Sequence, residues 1–204
     1  VLFLDELDQF QKQVLDALRQ PMEERVVRLS RKSGVYVFPS NFMLVGSCNP
    51  CPCGNYPDLN KCTCTSAQIQ QYYNHFSQPF LDRFDLSIEV SKVQYEDLEG
   101  GKEEESSATI RKRVCKARER QYKRYGHTKT NAELSSTEVE VYCELEQKEK
   151  QFMGQIFEQM ELTARTYHKV LKVARTIADL AEEEKIQLCH LREAVGYRMF
   201  DKRR

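Results

Sequence analysis

Two uninterrupted apolar runs of strand length, residues 1–4 (Val-Leu-Phe-Leu) and residues 42–46 (Phe-Met-Leu-Val-Gly), constrain this chain more than any other feature. A strand buried on both faces reads as a continuous apolar run, whereas a half-exposed strand alternates, so these runs predict buried parallel strands. Residues 86–90 are a shorter third candidate. Between the first two, residues 8–19 place Phe10, Val14, Leu15 and Leu18 at helical spacing, and Pro21 is expected to stop that helix. Two β-branched runs, 26–30 and 35–38, flank Arg31-Lys32-Ser33-Gly34 and predict a hairpin. Strands alternating with helices point to an α/β unit with a hairpin set into it.

The pattern changes near residue 92. Residues 92–105 are polar, contain Gly100-Gly101 and end in acids, which reads as a linker. Everything beyond is helical in pattern, so the chain divides into residues 1–91, a linker at 92–105 and an all-α part at 106–204. Ser106 or Ser107 caps a segment with Ile110, Val114, Ala117 and Gln121 on one face. Ser135 and Glu138 form a capping box for a second long helix. Thr163 caps a third, whose buried stripe is Tyr167, Val170, Leu171, Ala174, Ile177 and Ala178. A fourth is expected from about His190 to Phe200.

With 40% hydrophobic and 30% charged residues, the chain has the composition of a soluble globular protein. No apolar run approaches the ~20 residues of a membrane span, and no basic segment precedes an apolar one as in a secretory leader. The sequence opens on Val1 inside an apolar run, so it is expected to begin within a longer protein. Lysine plus arginine (31) balance aspartate plus glutamate (31), so net charge makes no case for nucleic acid, although a local patch still can. Eight cysteines are too unevenly placed for a disulfide scaffold, and a reducing, cytoplasmic setting is expected.

The first apolar run ends in Asp5-Glu6. Acids leaving a buried strand sit at the sheet edge where α/β folds bind ligands. One would hold Mg²⁺ through oxygen, and the other would orient or deprotonate a water. The same two acids also suit the start of a following helix, so the pair alone decides nothing. Asn49, just past the second run, has an amide suited to a phosphate or an attacking water, but Asn-Pro is also an ordinary turn. Arg83, in Pro79-Phe-Leu-Asp-Arg-Phe-Asp85, has the chemistry to neutralise transition-state charge; the plain alternative is a surface ion pair.

Cys51, Cys53, Cys62 and Cys64 supply two thiolate pairs, enough for a tetrahedral, structural Zn²⁺ site with no open position. Cys48 is a possible substitute ligand and His75 a weaker one. Each pair is C-x-C, which strains two sulfurs reaching one metal, and an unliganded loop stays open as the alternative. Arg31 and Lys32 at the hairpin tip, with Arg28 nearby, are placed to meet phosphates or simply to be solvated. The basic helix 111–124 reads as a solvated face in contact with the acidic linker.

The order Leu4-Asp5-Glu6, hairpin, Asn49-Pro-Cys-Pro-Cys-Gly54 and Pro79–Asp85 resembles the magnesium-chelatase-like AAA+ ATPases, in particular the ComM/YifB group. Residues 162–180, the Ser106-Ser107 start of the basic helix and His190-Leu-Arg-Glu-Ala194 are similar to that group's C-terminal helical domain. The resemblance covers nearly the whole chain. It implies the C-terminal half of an AAA+ P-loop core with an inserted β-hairpin, followed by an all-α lid.

By the same resemblance Asp5 and Glu6 are the Walker B acids, Asn49 is sensor 1, Arg83 is the arginine finger and Arg165 is sensor 2. ATP and Mg²⁺ are the implied cofactors, with the Walker A loop upstream, so that this stretch alone binds ATP poorly. A hexameric ring, a hairpin in its pore and DNA as substrate are implied as well. Departures are small: Asp8-Gln9-Phe10 is more polar than the group's usual segment, and residues 99–105 are unusually acidic. Two other functions remain in view. An ATPase subunit of a magnesium chelatase is not expected to carry the cysteine loop, and a non-enzymatic zinc-binding module leaves the Asp-Glu and Asp-Arg patterns as coincidences.

Overall fold

The structure, a computed structural model, describes residues 1–91, 93, 95 and 105–198. It divides into two compact units after Phe84.

In the first unit β1 (Leu2–Leu4) and β4 (Leu44–Gly46) pair in parallel, with Leu2 opposite Leu44 and Leu4 opposite Gly46. Burial on both faces, expected from the apolar runs, is only half met: Phe3 and Val45 remain 58% and 40% exposed. Side chains alternate across a strand, so these two share the face opposite the core. The core holds Leu7, Leu15, Phe76 and Phe80, with Leu4, Leu18, Leu44 and Phe84 around it. Gly46 is required there, because a Cβ on it would lie 2.4 Å from Leu7 Cδ1.

The single helix expected over residues 8–19 is instead a 3₁₀ turn at Leu7–Gln9 followed by α1 (Lys12–Ala17). Pro21 does not stop it. It lies in the first turn of α2 (Arg19–Glu24), where its missing N–H has no intrahelical partner to lose. β2 (Val26–Arg31) and β3 (Gly34–Pro39) then pair antiparallel around Lys32-Ser33, with Leu29 opposite Tyr36 and Val27 opposite Phe38. Their base is tied down by Ser40 N donating to Arg25 O at 2.7 Å. A long loop leads to α3 (Ser66–Asn74), capped by a reciprocal Thr65–Gln68 box, and then to α4 (Gln78–Leu81). Residues 86–90 form no strand. No ladder partner lies beside them among the described residues, and Ser87 N donates instead to Tyr197 O at 2.9 Å.

The second unit is helical: α5 (Ser107–Tyr125), α6 (Ser136–Tyr142), α7 (Gln147–Gln159), α8 (Ala164–Leu180) and α9 (Leu188–Gly196). Ser106 caps α5, and Gly126, at φ 73°, ends it in the left-handed conformation that glycine adopts without strain. On the face named for this helix only Ala117 and Gln121 are buried; Ile110 and Val114 stay exposed. The Ser135–Glu138 box forms, yet its helix ends at Tyr142, because the chain breaks to turn Cys143 and Leu145 into the core.

Thr163 caps α8, which buries Val170, Leu171, Ala174 and Ala178 and leaves Tyr167 and Ile177 at the margin. The last helix, expected from about His190 to Phe200, runs instead over Leu188–Gly196 with Tyr197 as its C-cap; Phe200 and most of the linker lie outside the described residues. Near the end of α8 the fully buried Asp179 accepts from both terminal nitrogens of Arg124 and from Asn131 Nδ2 at 2.9 Å, and pairs with Arg175 of the same helix at 3.3 Å.

Candidate nucleotide-binding edge and metal centre

The parallel pair sets the geometry of the acids. Because Leu4 lies opposite Gly46, the next residue of each strand, Asp5 and Ser47, emerge side by side. Ser47 N donates to Leu4 O at 3.0 Å and Leu7 N to Ser47 O at 2.8 Å, closing the strand ends together. Asp5 Oδ1 accepts from Ser47 Oγ and from Glu6 N at 3.1 Å. Glu6 itself has φ 51° and ψ 55°. That left-handed conformation costs a non-glycine residue roughly 1–2 kcal/mol, and strain of this kind gathers at functional positions.

Asp5 Oδ1 and Ser47 Oγ therefore meet at the carboxyl edge of two parallel strands, with the backbone N–H of Glu6 bonded to Asp5 Oδ1. Oxygen donors of this kind suit a hard divalent cation. Ser47 escaped the sequence reading, although its place directly after the second apolar run matches that of Asp5 after the first.

Asn49 follows on the same edge. Its carbonyl accepts from Tyr72 Oη at 2.6 Å, and the neighbouring Pro50 carbonyl accepts from Tyr73 Oη at 2.9 Å. No hydrogen bond joins the Asn49 side chain to Asp5 or Glu6 among the described residues. Arg83, directly after α4, is drawn back onto α2: Nη2 lies 2.7 Å from Glu23 Oε2 and Nη1 donates to Pro79 O. Its side chain is 12% exposed. Arg165 is exposed in the first turn of α8, in the second unit. The structure thus gathers Asp5, Glu6, Ser47 and Asn49 along one edge and holds Arg83 in an ion pair.

The cysteine loop folds its two arms together. All four sulfurs of Cys51, Cys53, Cys62 and Cys64 lie within 4.8 Å of one another. Cys51 and Cys53 are 3.4 Å apart, Cys53 and Cys62 3.6 Å, and Cys51 and Cys62 3.8 Å. Four thiolates around Zn²⁺ at about 2.3 Å would stand about 3.8 Å apart, so these residues fit the ion and the C-x-C spacing is no obstacle. Tyr56 N donates to Cys51 Sγ at 3.4 Å.

The backbone N–H groups of Asn55 and Thr63 bring the Cys53 thiol down to about 5, while desolvation pushes Cys64 up to about 12. N–H groups aimed at sulfur favour the anion that a metal needs. Cys48 and His75 stand outside the cluster, and His75 Nε2 is bonded to Phe10 O at 2.7 Å.

Of the cations singled out for nucleic acid, Arg28 is paired with Glu24 at 3.3 Å. Arg31 and Lys32 are exposed at the hairpin tip, with no ion pair among the described residues. In the basic helix α5, Arg113 pairs with Glu105 of the linker, Lys116 with Glu182 and Arg124 with Asp179.

The two stretches of the chain match, in order, the family models described as "Magnesium chelatase, subunit ChlI" over residues 1–98 and "Magnesium chelatase, subunit ChlI C-terminal" over residues 104–198. The chain belongs to the magnesium-chelatase-like family that includes ComM and YifB. It is 47% identical over 199 residues to "Competence protein ComM" of Haemophilus influenzae, covering 97% of this chain and 38% of that protein. It is 43% identical over 206 residues to YifB of Escherichia coli, covering 99% of this chain and 40% of the relative. A Mycobacterium tuberculosis relative, Rv2897c, is 31% identical over 207 residues, covering all of this chain and 41% of its own length. The chain therefore spans about two-fifths of these relatives. No helix among the described residues is long and apolar enough to cross a membrane.

Proposed function

We propose that the intact protein is an AAA+ ATPase that works as a ring, expected to be hexameric, to remodel or translocate DNA. The observation that carries this reading is the Asp5–Ser47 pair, with Glu6 beside it, at the carboxyl edge of β1 and β4. Family membership supports an ATPase of this class. In this reading Asp5 and Ser47 hold Mg²⁺, Glu6 orients or deprotonates the attacking water, and Asn49 offers its amide to a phosphate oxygen or that water. The ion supplies charge neutralisation on the phosphate oxygens. Arg83 stabilises the transition state of an adjoining subunit after leaving Glu23, and Arg165 contacts the nucleotide from the helical unit. The phosphate-binding loop lies outside this stretch of sequence.

The cysteine cluster holds a structural Zn²⁺ that pins residues 51–64, leaving no open coordination position for catalysis. A second reading, an ATPase subunit of a magnesium chelatase, draws on the description of the matched models. The cysteine loop, which such a subunit is not expected to carry, weighs against that reading.

The test is ATP hydrolysis by the intact protein, with and without DNA, beside the Glu6→Gln variant. DNA-stimulated turnover that Glu6→Gln abolishes while nucleotide still binds supports the motor. Turnover indifferent to DNA removes it.

A further inference from the structure

The β2–β3 hairpin presents a surface that the cationic residues alone do not explain. Alternation places Val27, Leu29, Tyr36 and Phe38 on one face, with Arg31 at its outer end. Tyr36 and Phe38 are 47% and 50% exposed, and Leu29 beside them is exposed as well. Two exposed rings two residues apart on one strand stand about 6.5 Å apart. Ser33 Oγ lies 3.1 Å from Tyr36 Oη and ties that ring towards the tip. Residues 26–39 contain no acid, and Arg31 and Lys32 stand exposed at the end of the ring face.

An apolar strand face on a water-exposed hairpin demands an occupant. Rings bordered by unpaired cations and no carboxylate match one whose flat apolar faces alternate with negative charge. Single-stranded nucleic acid has that character, because every base has a π-face and every link a phosphate. A duplex does not, since its base faces are already stacked on one another.

We infer that this hairpin binds single-stranded nucleic acid by stacking bases on Tyr36 and Phe38 while Arg31 and Lys32 hold the flanking phosphates. The inference rests on the DNA-motor reading and sharpens it: the gripped form is the single strand, and the grip is aromatic as well as ionic.

The experiment measures binding of a labelled mixed-sequence oligonucleotide, single-stranded and as a duplex, to the intact protein across a salt series. The Tyr36→Leu/Phe38→Leu double variant keeps apolar surface and removes the rings. It is expected to weaken single-strand binding by about 5- to 100-fold per ring, leaving duplex binding unchanged. Tyr36→Phe is expected to retain full affinity, which separates stacking from loss of the fold. Arg31→Ala with Lys32→Ala is expected to flatten the salt dependence for both forms.

Retention of single-strand affinity by the leucine double variant overturns the inference. So does a change in subunit assembly in place of DNA affinity, which assigns the face to a second protein surface. Failure of the unsubstituted protein to bind either form, with its ATPase intact, sinks the DNA reading itself.

Discussion

The guanidinium of Arg83 pairs with the carboxylate of Glu23 at 2.7 Å, joining the end of α4 to α2. The pair holds the proposed arginine finger against its own subunit. Glu23→Gln is expected to keep ATP turnover, whereas Arg83→Ala lowers it by about 10³–10⁵-fold without abolishing nucleotide binding. Mixing Arg83→Ala with Glu6→Gln subunits is expected to restore part of the activity, since some interfaces then carry both intact groups. Steady-state ATPase assays of each variant and of the mixture check this. An equal loss in Glu23→Gln and Arg83→Ala would make the arginine an anchor for α2 instead.

The four clustered sulfurs predict one zinc per chain by elemental analysis, lost in Cys51→Ser. Cys64, raised to about 12 by desolvation, carries its proton at neutral pH, whereas Cys53, lowered to about 5, does not. Metal binding must displace the proton from Cys64. Zinc affinity is therefore expected to rise from about pH 6 to about pH 8, with protons released on binding. Calorimetry in buffers of different ionisation enthalpy reads that release. Zinc content independent of all four cysteines would exclude the site.

Gly46→Ala sets a Cβ against Leu7, the residue that closes the strand ends behind Asp5 and Glu6. An overpacked core of this kind costs about 1–3 kcal/mol. A lowered urea midpoint with weakened Mg²⁺ dependence of ATP binding is the expected pair of results; unchanged values for both would show that Leu7 moves freely.

Asp179 is fully buried between Arg124 and Arg175. Asp179→Ala leaves two guanidinium groups facing one another without their shared counter-ion. The expected loss is about 3–5 kcal/mol in denaturant unfolding. A loss below ~1 kcal/mol would mean that water or another acid takes over the pairing.

Glu138 bonds to Lys129 and to the backbone and hydroxyl of Ser135, and these hold its carboxyl down at about 2. A depressed carboxylate stabilises the fold above its unfolded value of about 4.5, and that contribution fades as pH falls towards about 2. Acid titration of the protein followed by circular dichroism is expected to show this loss. In Glu138→Gln the same stretch of pH is expected to be flatter.

Local pattern carried much of this architecture. The apolar runs at 1–4 and 42–46, the β-branched strands around Lys32-Ser33, the caps at Ser106, Ser135 and Thr163 and the stripe of α8 all depend on neighbours within a few residues. Such signals survive in the one-dimensional chain. So do the acids after the first strand and the spacing of four cysteines.

Tertiary structure decided what depends on residues tens of positions apart. Parallel register brought Ser47 to Asp5. Close packing against Leu7 required Gly46. Folding of the loop arms carried Cys62 and Cys64 to Cys51 and Cys53. Position in space, not sequence, assigned Glu23 to Arg83 and Arg124 to Asp179. Periodicity reports which face of an element is apolar, but only chain register and packing determine which distant side chain meets it.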